Sequence, residues 1–488
     1  MGPDAAELAL LWGDDANDNM PMTKKAIRLL TSVAVAVFCA LVLTVAVSPD
    51  ADAVQRPNII LIMTDDQSAD TLWSMNRVRA HLLNRGTKLT NARFAFPRCC
   101  PSRASILRGQ YPHNTGLFAN ENGSGYFRNR GLDRSTVAVW LDRAGYDTAL
   151  IGKYLNGHDQ KYVPPGWDRW FSQGGGNSRT VNDDGEIREY GSGTHMDSVR
   201  KREISDYVRL KASTHRPFFL QASFFAPHAP YDHQSAYEGA FANAPFPRPP
   251  AYDEADVSDK PAYVRSKPRV SEAKDLEYAR DYRDRLRALQ TVDESIAEIV
   301  GILQNHNELN DTYIVLWTDN GYHMGEHRLS TGKLTPYETD TNFPMIVRGP
   351  GIRQGVEDDR LVLNTDLAPT FLAWANVPQQ PWTDGRPMEA LLDARTDPAT
   401  WRRYVLLEGR TPDGNGFGMP DYAGVLSQEG EKYIRYASGE QEYYDLRTDP
   451  HELESRPEAA PQALKDALEA LRTCAGPGCR TAENGPTP

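Results

Sequence analysis

Short, almost wholly apolar runs recur along the chain. The first, Asn-Ile-Ile-Leu-Ile-Met over residues 58–63, lacks polar alternation, the pattern of a strand buried on both faces. Similar runs occur at residues 148–151, 218–224, 313–317 and 345–347. Between them the period changes to three and four. Val137, Trp140 and Leu141 follow Ser135, which can cap a helix start, and precede Gly145, which can end one. Leu286, Leu289, Val292, Ile296, Ile299, Val300 and Leu303 mark one face of a longer helix. Strands alternating with helices predict an α/β fold, a mainly parallel sheet covered by helices on both faces. Ligands of such sheets bind beyond the C-terminal ends of the strands.

Two long stretches show neither period. Residues 174–193 are rich in Gly, Asn and Asp, and residues 244–268 in Pro. Both are expected as long loops that shape a site. After about Met388 the apolar runs become closely spaced, at residues 404–407, 422–426 and 432–436, and a helical pattern follows at Leu464, Leu468 and Leu471. This predicts a small antiparallel sheet-plus-helix subdomain over residues 389–488, beside a main domain over residues 54–388.

Composition narrows the function classes. Of 488 residues, 40% are hydrophobic and 25% charged, as in a globular chain with a large core. Lys and Arg number 54 against 66 Asp and Glu, a formal net charge of −12, which argues against a nucleic-acid partner. A local cluster of cations remains compatible with a small anionic ligand. Near the N-terminus, Lys24, Lys25 and Arg28 precede an apolar run over residues 29–47, and Ala51-Asp52-Ala53 follows as a small-x-small pattern. The expectation is a signal peptide cleaved near Ala53, a secreted or extracytoplasmic location and no stable membrane partner. Left uncleaved, the run is long enough to anchor the chain in a bilayer. Residues 1–21 form a polar prefix, and Met20 or Met22 is an alternative start. Export agrees with Cys474 and Cys479, which bracket Ala-Gly-Pro-Gly and can close a short disulfide loop in an oxidising compartment.

Candidate chemistry sits just after the strands. Asp65 and Asp66 follow the first run, and Asp319 and Asn320 follow the run at 313–317. Such residues are ordinary turn formers singly. Together they make an all-oxygen set suited to calcium or magnesium. Cys99-Cys100-Pro101-Ser102-Arg103 opens a short helix that ends at Leu107-Arg108-Gly109. A Cys at a helix start is a candidate nucleophile or redox thiol, or a small buried core residue.

The Cys-x-Pro-Ser-Arg pattern resembles the signature of type I sulfatases, in which the first Cys is oxidised to formylglycine. Arg108 stands where that signature usually has Thr. Tyr111-Pro112-His113-Asn114, Gly152-Lys153-Tyr154-Leu155-Asn156, Pro164-Pro165-Gly166-Trp167, Ala226-Pro227-His228-Ala229-Pro230 and Thr318-Asp319-Asn320-Gly321-Tyr322-His323 are similar to the N-acetylglucosamine-6-sulfatase and heparan endosulfatase branch. Glu442-Tyr443-Tyr444-Asp445-Leu446, with Asp449-Pro450 after it, resembles the closing strand of sulfatases generally. The likeness runs from about Arg56 to Glu452 and implies an alkaline-phosphatase-like fold.

The resemblance implies one calcium ion held by Asp65, Asp66, Asp319 and Asn320, with the modified Cys99 also at the metal. Arg103, Lys153, His228 and Lys333 then face the sulfate ester of a sulfated small molecule or glycan. It also implies a formylglycine-generating enzyme as maturation partner. One hydroxyl of the hydrated aldehyde, deprotonated with help from Asp319, attacks sulfur and expels the alcohol. The other then loses its proton and expels sulfate. His228 or Lys333 protonates the leaving oxygen. Many sulfatases carry His where this chain has Leu155, which leaves Asn156 as the residue expected to orient the gem-diol. His323 either approaches the substrate or packs beside Asp319. Read without the family, Lys153 and Lys333 are surface lysines and Arg103 the partner of a carboxylate. The functional expectation is a secreted sulfatase acting on sulfate monoesters, with 6-O-sulfated glucosamine as substrate class. A phosphodiesterase or phosphonate monoester hydrolase on the same fold, and a glycan-binding protein in which Cys99 stays a thiol, are the alternatives.

Overall fold

The computed structural model describes residues 56–157, 161–174, 178–393, 395–397, 400–411 and 417–485. The expected signal peptide lies outside the described residues. Among the described residues, no helix is long and apolar enough to cross a membrane.

The apolar runs become the middle of a ten-stranded sheet. Five parallel strands lie side by side in the order β9 (Thr312–Thr318), β1 (Asn58–Thr64), β8 (Phe218–Ser223), β4 (Asp147–Lys153) and β5 (Arg169–Gln173). Beyond β9 come β10 (Met345–Arg348), β2 (Thr87–Leu89) and β11 (Val356–Asp358). Beyond β5 come β6 (Thr180–Asp183) and β7 (Glu186–Glu189). Antiparallel pairs are confined to these flanks, where β10 joins β9 and β2, and β6 joins β5 and β7. A two-stranded ladder pairs β3 (Ala92–Arg93) with β12 (Val362–Leu363).

Strand β1 shows why its sequence does not alternate. Ile59, Leu61 and Met63 enter a core cluster on one face, together with residues of the helices Val137–Arg143 and Leu367–Trp374. Ile60 and Ile62 enter a second cluster, with helices α2 (Met196–Ala212) and α3 (Glu272–Asn305). Both faces are covered, as the pattern predicts. Each fully buried Leu or Ile side chain contributes about 2 kcal/mol.

Two local expectations are corrected. The helix at Val137 starts one residue later than predicted, with Thr136 rather than Ser135 at its N-cap, because Ser135 closes a preceding 3-10 turn. The stretch 174–193 is not loop throughout but holds the hairpin of β6 and β7. Asp184 and Gly185 both take positive φ, 52° and 95°, the two-residue geometry that Asp-Gly favours in a twisted hairpin. The mostly charged β7, Glu-Ile-Arg-Glu, blunts that edge of the sheet.

The C-terminal strands β13 (Tyr404–Gly409), β14 (Tyr422–Ser427), β15 (Glu431–Tyr436) and β16 (Gln441–Asp445) form an antiparallel meander. Leu464, Leu468 and Leu471 of the helix Gln462–Leu471 pack in a cluster with Val425, Ile434, Tyr111 and Tyr337. Cys474 and Cys479 form a disulfide, their Cα atoms 4.8 Å apart.

Candidate active site

Register brings the acidic residues together. Thr64 of β1 pairs with Thr318 of β9, so the chain leaves both strands at the same level. Asp65 and Asp319 follow immediately, and the Asp66 backbone N–H donates to Asp319 Oδ1 at 3.2 Å. On the other side of β1, the Asp65 N–H donates to the Ala226 carbonyl at 3.2 Å, tying the segment after β8 to the same spot. Strand β4 delivers Lys153 as its last residue. The preceding Gly152 lies at φ +118°, and a Cβ there would fall 1.7 Å from the Ser223 carbonyl oxygen, so glycine alone permits this close strand pairing.

Helix α1 (Cys99–Arg108) begins with Cys99, which is 1% exposed. Its thiol lies 3.6 Å from Asp65 Oδ1, and Lys333 Nζ donates to its Sγ at 2.9 Å. Ligand atoms of Asp65, Asp66, Cys99 and Asp319 all lie within 4.8 Å of one another. Cations answer these carboxylates. Lys153 pairs with Asp65, and Lys333 with Asp66 Oδ1. Arg103 donates Nε to Asp319 Oδ2 at 2.8 Å and Nη1 to the Lys153 carbonyl and Ser223 Oγ. His228 Nε2 stands 3.5 Å from Asp66 Oδ2, while its Nδ1 lies 2.7 Å from the Ala229 carbonyl.

These charges set the protonation states. Burial raises the Asp65 and Asp66 carboxyls, but Lys153 and His228 at the first, and Lys333 and His228 at the second, outweigh it and bring both down to about 2. For Cys99 burial wins over Lys153 and Lys333, and the thiol is pushed up to about 12. Burial opposes charge on Lys153 and Lys333 as well, yet Asp65 and Asp66 respectively hold their pKa values above the ordinary lysine value.

The donor set fits a hard divalent cation. Asn320 gives Nδ2 to Asp66 Oδ1 at 2.7 Å and to the Gly321 carbonyl, which fixes the amide's orientation. Its Oδ1 is buried with no hydrogen-bond partner. Three carboxylates therefore converge, and Asn320, bonded to one of them, carries an unused carboxamide oxygen; all are hard oxygen donors.

Asn156 donates its backbone N–H to Cys100 Sγ at 3.0 Å. His323 is 1% exposed and pairs through Nδ1 with Asp340 Oδ1 at 2.8 Å. Two supports escape sequence reading. Arg285, fully buried on α3, donates Nη2 to the Asp66 carbonyl at 2.6 Å and stacks 4.3 Å from the Tyr322 ring centroid. Asp66 itself sits at φ +60°, so this bond holds a backbone turn that non-glycine residues rarely adopt. Asp197, paired with Arg200, accepts the N–H groups of Phe225 and Ala226 just before His228. In the sequence, only Arg285's place on the apolar stripe of α3 sets it apart.

A family model described as Sulfatase matches residues 57–377. The chain belongs to the sulfatase family. A second model, described as N-sulphoglucosamine sulphohydrolase, C-terminal, matches residues 325–472 of this sulfatase chain. It is 36% identical over 360 residues to the Extracellular sulfatase SULF-1 homolog of Drosophila melanogaster, covering 70% of this chain and 32% of that one. It is 29% identical over 487 residues to the N-acetylglucosamine-6-sulfatase of Capra hircus, covering 89% and 87%. The chain spans 53% of a Sulf-1 homolog of Caenorhabditis elegans, and so only part of the length of the extracellular relatives. A solved structure in complex with its substrate D-glucosamine-2-N,6-O-disulfate matches with a TM-score of 0.75 at 23% identity, covering 86% of this chain and 97% of that one. The phosphonate monoester hydrolase of Agrobacterium radiobacter matches with a TM-score of 0.64 at 19% identity, covering 83% and 92%. The fold of this sulfatase chain is alkaline-phosphatase-like.

Proposed function

We propose that this sulfatase chain is an extracytoplasmic hydrolase of sulfate monoesters, with 6-O-sulfate on glucosamine-type glycans as its substrate class. One observation carries the reading: the Cys99 thiol lies within a convergent set of three carboxylates and three cations, surroundings suited to a nucleophile that meets an anionic ester. Oxidation of Cys99 to formylglycine by a maturation enzyme would supply that nucleophile as a hydroxyl. The identities of the extracellular and 6-sulfatase relatives support the location and the substrate class.

When present, calcium would polarise sulfuryl oxygens and formylglycine would supply a nucleophilic hydroxyl. Asp65, Asp66, Asp319 and Asn320 are the residues to hold the ion. Arg103, Lys153 and Lys333 gather the sulfuryl oxygens and balance the charge that develops on them. Arg103 also orients Asp319 as the base beside the nucleophile. His228 commits its Nδ1–H to the Ala229 carbonyl, so Nε2 is the atom that carries a proton to the leaving oxygen.

The test is sulfate release from glucosamine 6-O-sulfate by protein secreted from its own cell, compared with turnover of an aryl phosphate and a phosphonate monoester. The sulfate ester is expected to be the fastest of the three, and Cys99→Ala to abolish its hydrolysis. Faster turnover of the phosphonate would move the assignment to the phosphonate monoester hydrolases.

A further inference from the structure

A cavity of about 260 Å³ opens beside His228, away from the carboxylate cluster's own ligand atoms. Its walls include Arg179, His195, Asp197, Arg200 and Asp232 besides His228. His228 Nε2 lies 3.5 Å from Asp66 Oδ2, so the cavity adjoins the metal and sulfate site directly.

The lining has an electrostatic bias. Asp197 is committed, since its two oxygens accept Arg200 Nη1 and the N–H groups of Phe225 and Ala226. Arg200 is 2% exposed, and its Nε is buried with no acceptor. Arg179 donates to the Thr194 carbonyl and, among the described residues, forms no ion pair. His195 accepts the Ser198 N–H at Nδ1, which leaves Nε2 as its donor, 3.3 Å from the Asp232 carbonyl. His195 and Met196 also begin α2, so the positive end of a 17-residue helix faces the same space. The one carboxylate besides Asp197 in the lining, Asp232, is exposed at the surface.

We propose that this cavity is a specificity subsite for a second anionic group of the substrate, a sulfate or carboxylate on the sugar that bears the scissile ester or on its neighbour. Arg179 is the residue that reads the anion. Arg200, whose charge Asp197 balances, contributes its unpaired Nε, the first turn of α2 lines the same wall, and His228 stands between this subsite and the ester. The inference rests on the proposed sulfatase reading and deepens it, because it separates doubly charged sugars from singly charged ones.

Rates on three probes test it: glucosamine 6-O-sulfate, glucosamine 2-N,6-O-disulfate, and 6-O-sulfated glucosamine linked to a uronate. The wild-type protein is expected to prefer one of the two dianionic probes in kcat/KM. Arg179→Gln is expected to cut that preference ratio about tenfold, and Arg179→Lys to keep part of it. The probe whose advantage disappears identifies the anion as N-sulfate or as carboxylate. Equal rates on all three probes, or the same ratio in wild type and Arg179→Gln, would overturn the subsite. Should protein with verified formylglycine turn over none of the probes, the sulfatase reading fails by itself. Calorimetric titration with glucosamine 2-N-sulfate, which has no ester at O6, then decides the subsite alone. About tenfold weaker binding in Arg179→Gln upholds it, and equal or absent binding in both proteins overturns it.

Discussion

The Nδ2 amide of Asn320 donates to Asp66 Oδ1 across 2.7 Å, and in doing so leaves the buried Oδ1 of Asn320 without a partner. Burying a carbonyl oxygen unpaired costs about 1–3 kcal/mol, a penalty that a bound cation removes. The chain is therefore expected to carry one calcium per molecule by elemental analysis. A chelator should lower its unfolding temperature, since a ligand at a hundredfold excess over its dissociation constant contributes about 2.7 kcal/mol. Asp66→Ala should abolish that shift. A melting curve indifferent to both calcium and chelator would contradict the assigned ligands.

Arg285 predicts a separable effect. Its guanidinium reaches the Asp66 carbonyl from a helix 219 positions along the chain. Arg285→Met should destabilise the chain by about 1–3 kcal/mol in chemical denaturation, because the buried carbonyl loses its donor. It should also weaken calcium in calorimetry, and Arg285→Lys should restore part of both. Loss of stability with unchanged calcium affinity would mean that Arg285 only fills space.

How far the sequence alone reaches is visible in these two cases. Asp65, Asp66, Asp319 and Asn320 are legible because parallel strands place whatever follows them at one sheet edge, and the strands read clearly as apolar runs. Cys99, Arg103 and Lys153 are legible through family motifs. Arg285 and Asp197 are not. Each acts on backbone atoms, and each sits in a helix where Arg and Asp are commonplace. The hairpin of β6 and β7 is hidden for another reason: its composition is that of a loop, and only the Asp184-Gly185 pair betrays the turn. The helix start at Thr136 shows the usual ambiguity between adjacent hydroxyl residues, here settled by the 3-10 turn that claims Ser135.

Proton delivery and charge balance should separate from metal binding. His228→Ala is expected to lower kcat about a hundredfold or more, in the range of lost general acid catalysis. Lys333→Ala should also slow turnover, through lost charge stabilisation next to Cys99. Neither should weaken calcium as much as Asp66→Ala does. Calorimetry and kinetics on the same preparations check this, and a His228→Ala protein with an unchanged rate would exclude His228 as the acid.

The contact between the β3–β12 ladder and the C-terminal meander, made through Glu338, should be acid-sensitive. Glu338 receives Arg93 at 2.6 Å and Lys432 of β15 at 2.9 Å. Burial pulls its pKa up, but Arg93 and Lys432 outweigh this and bring it from 4.5 to about 2. A folded-state pKa below the unfolded one means stability that is present above about pH 4.5 and is lost as pH falls toward 2. Glu338→Gln should thus cost about 3 kcal/mol at pH 6, as expected for breaking a buried ion pair, and progressively less below pH 4.5. A penalty that stays constant down to pH 3 would contradict the ion-pair account.

The central claim is that Cys99 works as formylglycine. Mass spectrometry of the tryptic peptide Cys99-Cys100-Pro101-Ser102-Arg103, from active protein secreted by its own cell, tests it most directly. The account predicts an aldehyde in place of the Cys99 thiol group, with Cys100 unchanged. An unmodified Cys99 thiol in fully active protein would contradict it.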